Sequence, residues 1–324
     1  MKGISMRKIV LLAATAAAAL TAAAAANVTL STEAEPGQAP IARTREVNTY
    51  QNIAVTGQLT AMDPEGESLC FRLVQNGKKG TAELTEEGFF RYTPAQGKTG
   101  RDQFTFTATD ESGNVSAEAT VTVQIQRQKS HVVYYDMEGE SAHAAAIALA
   151  DSGVFIGTQV GDGYYFSPDS EVSRMEFLAM AMTMAGMETL ENVLMTGFTD
   201  DAAIPTWGKS YASTALKNGV IQGVSTEKGV FFSPHSTITT WEAATMLNRI
   251  LKVADVALPQ EELPEWAGQA VANMESVQVV SAGSFDYAQG SRGITRAEAA
   301  EMLSTAMQVL ENQRKGKSFF DWLW

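Results

Sequence analysis

A single cysteine, Cys70, stands in a chain of 324 residues, so no intramolecular disulfide can brace it. It lies in "SLCFRLV", a strand-like run, and reads as a small apolar packing residue. Histidine is nearly as scarce. His131, His143 and His235 are the three present, and none falls in an HExxH or related metal-ligating spacing. A G-x-S-x-G elbow, a P-loop and a dinucleotide fingerprint are all missing, which removes the commonest signatures of enzyme chemistry. Abundant Asp and Glu leave a paired-carboxylate hydrolase open in principle. The patterns described below fill the chain, however, and leave no room for a separate catalytic domain, so a protein that is not an enzyme is expected.

Positive charge is also in short supply, with 24 Lys and Arg against 37 Asp and Glu and a net charge of −13. Such a chain has no broad attraction for nucleic acid or an anionic membrane, and any anionic polymer must be held by local pockets. Long apolar runs are missing with one exception. Lys2, Arg7 and Lys8 precede "IVLLAATAAAALTAAAAA", which ends in the small residues Ala24-Ala25-Ala26 before Asn27. A basic start, an apolar stretch and a small-residue cleavage site predict a secretory signal over 1–26. Its removal takes away three basic residues and no acidic one, moving the net charge from −13 to −16. Nothing later is long and apolar enough to span a bilayer, so an exported protein without a membrane span is expected.

The remainder divides by periodicity. Residues 27–42, "NVTLSTEAEPGQAPIA", are small, polar and proline-containing, and read as a tether or a ragged first strand. Over 43–128 the period is two. "DQFTFTATD" alternates Phe104, Phe106 and Ala108, and "ATVTVQIQ" alternates Val121, Val123 and Ile125. Turn signals such as "MDPEGES", "QNGKKG" and "TDESGN" separate short runs of this kind, predicting a β-sandwich. "MDPEGESLCFRLV", "GTAELTEEGFFRYTP" and "GRDQFTFTATDESGNVSAEATVTVQI", in that order, make this half resemble the bacterial cadherin-like or Ig-like modules of surface proteins. The resemblance implies a spacer or adhesion unit, and in some members Ca²⁺ held between modules. Asp63, Glu65, Glu67, Asp102 and Asp110 are the oxygen donors that could serve. The competing reading, acids in solvated turns, is favoured, because one module supplies only half of such a site. No cofactor is therefore expected.

From about Val132 the pattern becomes helical and repeats. Ser173-Arg174-Met175-Glu176, Thr239-Thr240-Trp241-Glu242 and Thr295-Arg296-Ala297-Glu298 are three Ser/Thr-x-x-Glu capping boxes, each opening an apolar helical run. Ahead of the first two boxes comes a common preamble. An Asp (Asp136, Asp200) opens a first helix, which ends at a Gly (Gly153, Gly219), a C-cap signal. A second Gly follows (Gly157, Gly223), then a turn and "FSP". The third copy is worn. Modules are expected at 132–190, 195–252 and 260–312, with a tail at 313–324. None could bury its apolar face alone, so the three should pack together. The methionines of "MEFLAMAMTMAGM" read as flexible core filling. The aromatic tail "KGKSFFDWLW" either folds back on the helices, the favoured reading, or docks a partner.

This order of Asp, Trp, Gly-link-Gly, "FSP" and box resembles the S-layer homology module over about 134–310. The resemblance implies an all-α bundle of three modules with pseudo-threefold symmetry. Grooves between its modules bind a secondary cell-wall polysaccharide, often one bearing a pyruvate ketal. It also implies a set of binding residues, here Arg174 and Arg296, Trp207 and Trp266, Asp136 and Asp200, Gly157 and Gly223. The second copy has Thr240 for the arginine, the first has Ser141 for the tryptophan, and the third has Ala282 for the glycine. At most one or two working grooves are expected.

A cation in the first turn of a helix opposes the helix dipole. Joined to free N–H groups at the helix start, an Arg fork would make a compact anion pocket, with Trp as an apolar face for a sugar ring. The bland alternative is that Arg174 and Arg296 bond nearby carbonyls and fix the loop. The box carboxylates Glu176, Glu242 and Glu298 are expected to be structural caps. The reading that results is an exported, wall-associated protein anchored through an anionic polysaccharide, its sandwich held outward. The competing reading is that the worn repeats assemble with other surface proteins.

Overall fold

The computed structural model describes residues 37–257, 264–280 and 290–316. The expected signal, most of the tether, Ala282 and the aromatic tail lie outside the described residues. The described residues fall in one compact unit, within 37–324.

Two antiparallel-rich sheets form the sandwich. One contains β2 (Arg45–Tyr50), β9 (Ala119–Gln126), β8 (Gly100–Thr109) and β5 (Cys70–Gln75) in that order, with β2 parallel to β9. The other contains β3 (Val55–Gln58), β7 (Phe89–Pro94) and β6 (Gly80–Leu84). A short pair, β1 (Ile41–Ala42) with β4 (Ala61–Met62), stands beside them, so strand structure begins inside the segment expected as tether. The period-two pattern does what it should: Phe104, Phe106, Ala108, Val121, Val123 and Ile125 all face the core. Phe104 meets Phe90 edge-on at 5.3 Å between ring centres and lies parallel to Tyr92 at 6.3 Å.

One polar group sits among these rings. Asp102, on the buried side of β8, accepts hydrogen bonds from the N–H groups of Lys78 (3.0 Å) and Lys79 (2.8 Å) and from the Tyr92 hydroxyl (2.6 Å). It thereby fixes the β5–β6 turn to the opposite sheet.

Among the described residues the second half carries six fully delimited α-helices: α1 (His143–Asp151), α2 (Arg174–Ala185), α3 (Thr206–Lys217), α4 (Thr240–Leu251), α5 (Gly268–Ser276) and α6 (Arg296–Arg314). It is not purely helical. Between the helices of the first two repeats lie hairpins, β10 (Thr158–Val160) with β11 (Gly163–Tyr165), and β12 (Val224–Thr226) with β13 (Gly229–Phe231). Two-residue loops, Gly161-Asp162 and Glu227-Lys228, close them, and the Gly-Asp pair is a hairpin signal. All three boxes form in full: Ser173, Thr239 and Thr295 cap α2, α4 and α6, and Glu176, Glu242 and Glu298 reach back to the cap N–H groups.

The box helices contact one another, and each first helix packs on the box helix of the repeat before it. Thus α3 lies on α2, α5 on α4, and α1 closes the circle on α6. Short bridges join the segments ahead of the boxes pairwise, at Ser173–Thr237, Thr239–Gly293 and Glu171–Thr295. The sandwich is joined to this ring through Tyr50, which is buried in the helical core. Asp151 at the end of α1 also accepts the N–H groups of Lys129 and Ser130. Burial and the nearby Asp151 push the Tyr50 phenol up to about 12.

The first helices end alike. After α1, Gly153 donates to Ala150 and Val154 to Leu149. After α3, Gly219 donates to Leu216 and Val220 to Ala215. These are Schellman turns with Gly in the left-handed region. After α5 the same two bonds form, from Gln278 to Glu275 and from Val279 to Met274, but the left-handed residue is Gln278, at φ 58°. Its side-chain oxygen is buried without a partner.

Two outcomes are expected. Gln278→Gly should stabilise the protein by about 1 kcal/mol, because glycine adopts this conformation without the side-chain clash. A lower urea midpoint for the variant would contradict this. For Asp102, burial acts to raise the pKa, but the donors on it prevail and hold it below the usual carboxylate range. Its stabilisation is therefore complete above about pH 4 and fades as pH falls through the depressed value. Asp102→Asn should lose about 2 kcal/mol at pH 7, with the gap to the parent narrowing below about pH 4. A gap constant down to pH 3 would show that the charge is not what matters.

Candidate functional site

The "FSP" segments position the site, and they are held from both sides. Asp136 accepts the N–H groups of Phe166 (2.9 Å) and Ser167 (2.7 Å), and Asp200 those of Phe232 (2.9 Å) and Ser233 (2.7 Å). Ser167 and Ser233 are both left-handed, at φ 57° and 58°, a strained state that the two carboxylates maintain. Both Asp side chains are thus committed to backbone. Gly157 and Gly223 are left-handed ahead of the hairpins, and a Cβ on either would run into the carbonyl of the facing strand, at Tyr165 or Phe231.

From the other side, each segment receives the start of a box helix from a neighbouring repeat. Arg174 N–H donates to Ser236 (2.9 Å) and Met175 N–H to Pro234 (3.1 Å). Arg296 N–H donates to Ser170 (2.7 Å) and Ala297 N–H to Pro168 (2.9 Å), while Thr240 N–H donates to Arg292 (3.3 Å). The first two N–H groups of α2 and α6, normally without intrahelical partners, are therefore satisfied by carbonyls, and the third by the cap side chain. This corrects the expectation of free N–H groups for an anion. The sequence pattern shows a helix start but not what docks on it.

The two arginines part company here. Arg174 is 7% exposed. Its Nε donates to the Phe232 carbonyl (3.0 Å), its Nη1 pairs with Glu242 (2.7 Å), and its guanidinium lies 5.5 Å from the Phe232 ring centre. It acts as a rivet between the first and second repeats, the bland reading of the box arginine. Arg296 makes the equivalent carbonyl bond, Nη1 to Phe166 (2.7 Å), and lies 5.2 Å from the Phe155 ring centre. It is half-buried and, among the described residues, has no carboxylate within ion-pair distance.

Arg296 opens onto a cleft of about 180 Å³, walled by Phe155, Val172, Glu176, Met180 and Trp207. Trp207 is 54% exposed and meets Tyr211 edge-on. The cleft draws on all three repeats: Phe155 and Glu176 from the first, Trp207 from the second and Arg296 from the third. Trp266, 56% exposed, packs edge-on against Trp241 and does not join Arg296. Ser141, in the tryptophan position of the first repeat, donates instead to Glu301 (2.9 Å). Phe155 was not singled out by sequence, although its place just after Gly153 put it in the link between the two glycines. Arg292 was also missed, because it lies outside the box, and its pairing with Glu298 needs the loop to turn back.

The calcium candidates are dispersed. Asp63 accepts the N–H groups of Glu65 and Glu67, Glu65 that of Gln38, and Asp110 both the N–H and the side-chain amide of Asn114. Asp63 and Asp110 hold their own turns, whereas Glu65 and Glu67 tie down Gln38 and Ser112, and Asp102 ties down Lys78 and Lys79. Among the described residues no group of three His, Cys, Asp or Glu could hold a metal ion. No helix among them is long and apolar enough to cross a membrane.

Comparison with known proteins agrees with the sandwich. Residues 37–127 match the bacterial cadherin-like domain. A surface-layer 125 kDa protein of Lysinibacillus sphaericus is 26% identical over 46% of this chain and 12% of its own length. Exoglucanase XynX of Acetivibrio thermocellus is 29% identical over 40% of this chain and 12% of its own. An amylopullulanase of Thermoanaerobacterium thermosulfurigenes is 33% identical over 28% of this chain and 5% of its own. The chain thus spans a small part of each of these relatives.

The contrast between the arginines gives a prediction. Arg174→Ala leaves Glu242 and a buried carbonyl unpaired and should cost about 3 kcal/mol. Arg296→Ala should cost about 1 kcal/mol, for the loss of one carbonyl bond. Equal shifts of the urea midpoint for the two variants would contradict the assignment of rivet and open cation.

Proposed function

We propose that this protein is a non-catalytic component of the bacterial cell surface that holds an anionic wall polysaccharide through its helical half. The repeats are read as S-layer homology modules, none with the full set of binding residues, and the cadherin-like sandwich as a spacer or adhesion unit carried outward. The observation that carries the reading is the cleft at Arg296. A guanidinium without a carboxylate partner lies beside an exposed indole in a concave apolar site. That combination suits a sugar bearing a carboxylate: the fork takes the anion, and Trp207 takes a ring face. Because the net charge is −13, the local cation has to do the selecting. The surface-layer relative supports a location outside the cell.

A second reading, assembly with another surface protein, draws on Leu194 and Met195, adjacent residues 84% and 75% exposed. Co-sedimentation with purified cell-wall sacculi, with and without chemical removal of the secondary polymer, separates the two. Glycan binding predicts that pelleting falls at least about tenfold in Arg296→Ala and in Trp207→Ala, and equally on removal of the polymer. Pelleting that survives these changes but is lost in Leu194→Ser/Met195→Ser would overturn the glycan reading in favour of a protein partner.

A further inference from the structure

We infer that only one of the three inter-repeat interfaces presents an arginine free to take a carboxylated sugar, because in the other two the box glutamate is already ion-paired with one of the protein's own arginines. The inference rests on the glycan reading of the Arg296 cleft and adds its stoichiometry and the residue that occupies the glutamate at the interface of the second and third repeats.

In each interface, the first helical residue of one repeat faces the box glutamate of the next around the ring. Between the first and second repeats, Arg174 pairs with Glu242 across the boundary. Between the second and third, the first helical residue is Thr240, which carries no cation, and Glu298 is instead paired with Arg292 from its own repeat. Arg292 occupies the position held by Ser170 and Ser236 in the other copies, three residues ahead of the box. All three residues offer their carbonyl to the incoming helix, to Arg296, Arg174 and Thr240 N–H in turn. The backbone role of the position is therefore common to the repeats, and the guanidinium is an addition found where the neighbouring box has lost its own.

Between the third and first repeats no such pair forms. Glu176 bonds Ser173 through Oε2 alone, at its N–H (2.9 Å) and hydroxyl (2.7 Å), and shares the cleft wall with Arg296 without coming within ion-pair distance of it, so the Arg296 guanidinium is left for a ligand. The tryptophan positions agree. This interface carries Trp207, and the Glu298 interface carries Ser141, hydrogen-bonded to Glu301, while Trp266 lies against Trp241 of the second box helix, where Arg174 is already paired. A carboxylate arriving at Arg296 takes the place that Glu242 holds at Arg174.

The test has two arms on the full chain. In urea unfolding, Arg292→Ser should raise the unfolding equilibrium constant about threefold, as expected for a partly exposed pair. Adding Thr240→Arg should restore it, because the cation then comes from the neighbouring repeat, as at Arg174. Failure of Thr240→Arg to rescue overturns the assignment of Arg292, whatever the binding arm shows. In calorimetric titration with tetragalacturonate, a carboxylated sugar oligomer, one site per chain is expected, lost in Arg296→Ala and retained in Arg292→Ser/Thr240→Arg. Two or three sites, or a site that survives Arg296→Ala, overturn the single open interface. No heat at all overturns the parent reading for carboxylated sugars, and the unfolding arm still decides the role of Arg292.

Discussion

Every box helix begins on another repeat. A helix leaves its first N–H groups without intrahelical partners, and burying them unpaired would cost about 1–3 kcal/mol each. Here the carbonyls of Ser236 and Pro234, of Ser170 and Pro168, and of Arg292 meet that need across repeat boundaries. Because the donor of one repeat is completed by the acceptor of the next, and the third returns to the first, no repeat is whole alone. The left-handed Ser167 and Ser233, the carboxylates of Asp136 and Asp200 that hold them, and the half-buried Arg174–Glu242 pair all serve to present those carbonyls.

The same constraint explains where a ligand can go. A helix start already filled by carbonyls cannot act as an anion site, so in the proposed reading recognition falls to side chains at the rim. Of the two box arginines, one is consumed in holding repeats together, and the other retains donors facing a cleft with an exposed indole. The sandwich is coupled to this ring through Tyr50 and Asp151, so the cadherin-like half is fixed to the helices at its base instead of hanging from a free linker.

Much of this was legible in the residues. Strand faces followed from alternation, because each strand pair has one buried side. Capping boxes and terminal glycines followed from local chemistry, which a short window contains. What escaped was non-local. The partner of Arg174 is Glu242 in the next repeat, the anchors of Asp136 are N–H groups at Phe166 and Ser167, and the joining of Arg296 to Trp207 requires the ring to close. The hairpins after Gly157 and Gly223 were passed over because three-residue strands are too short to display a period, leaving the Gly161-Asp162 turn as the sole signal. Gln278 was invisible as a strained residue, since nothing local marks a glutamine in a glycine's place.

The most direct measurement of the central claim is the indole N–H spectrum of the ¹⁵N-labelled protein during addition of wall polysaccharide fragments. Trp207, Trp241 and Trp266 report respectively on the open cleft, the buried box helix and the exposed face beside it. The account predicts a saturable shift at Trp207, with Trp241 and Trp266 unmoved and the Trp207 shift abolished by Arg296→Ala. A shift centred on Trp266, or one at Trp207 indifferent to Arg296, would contradict it.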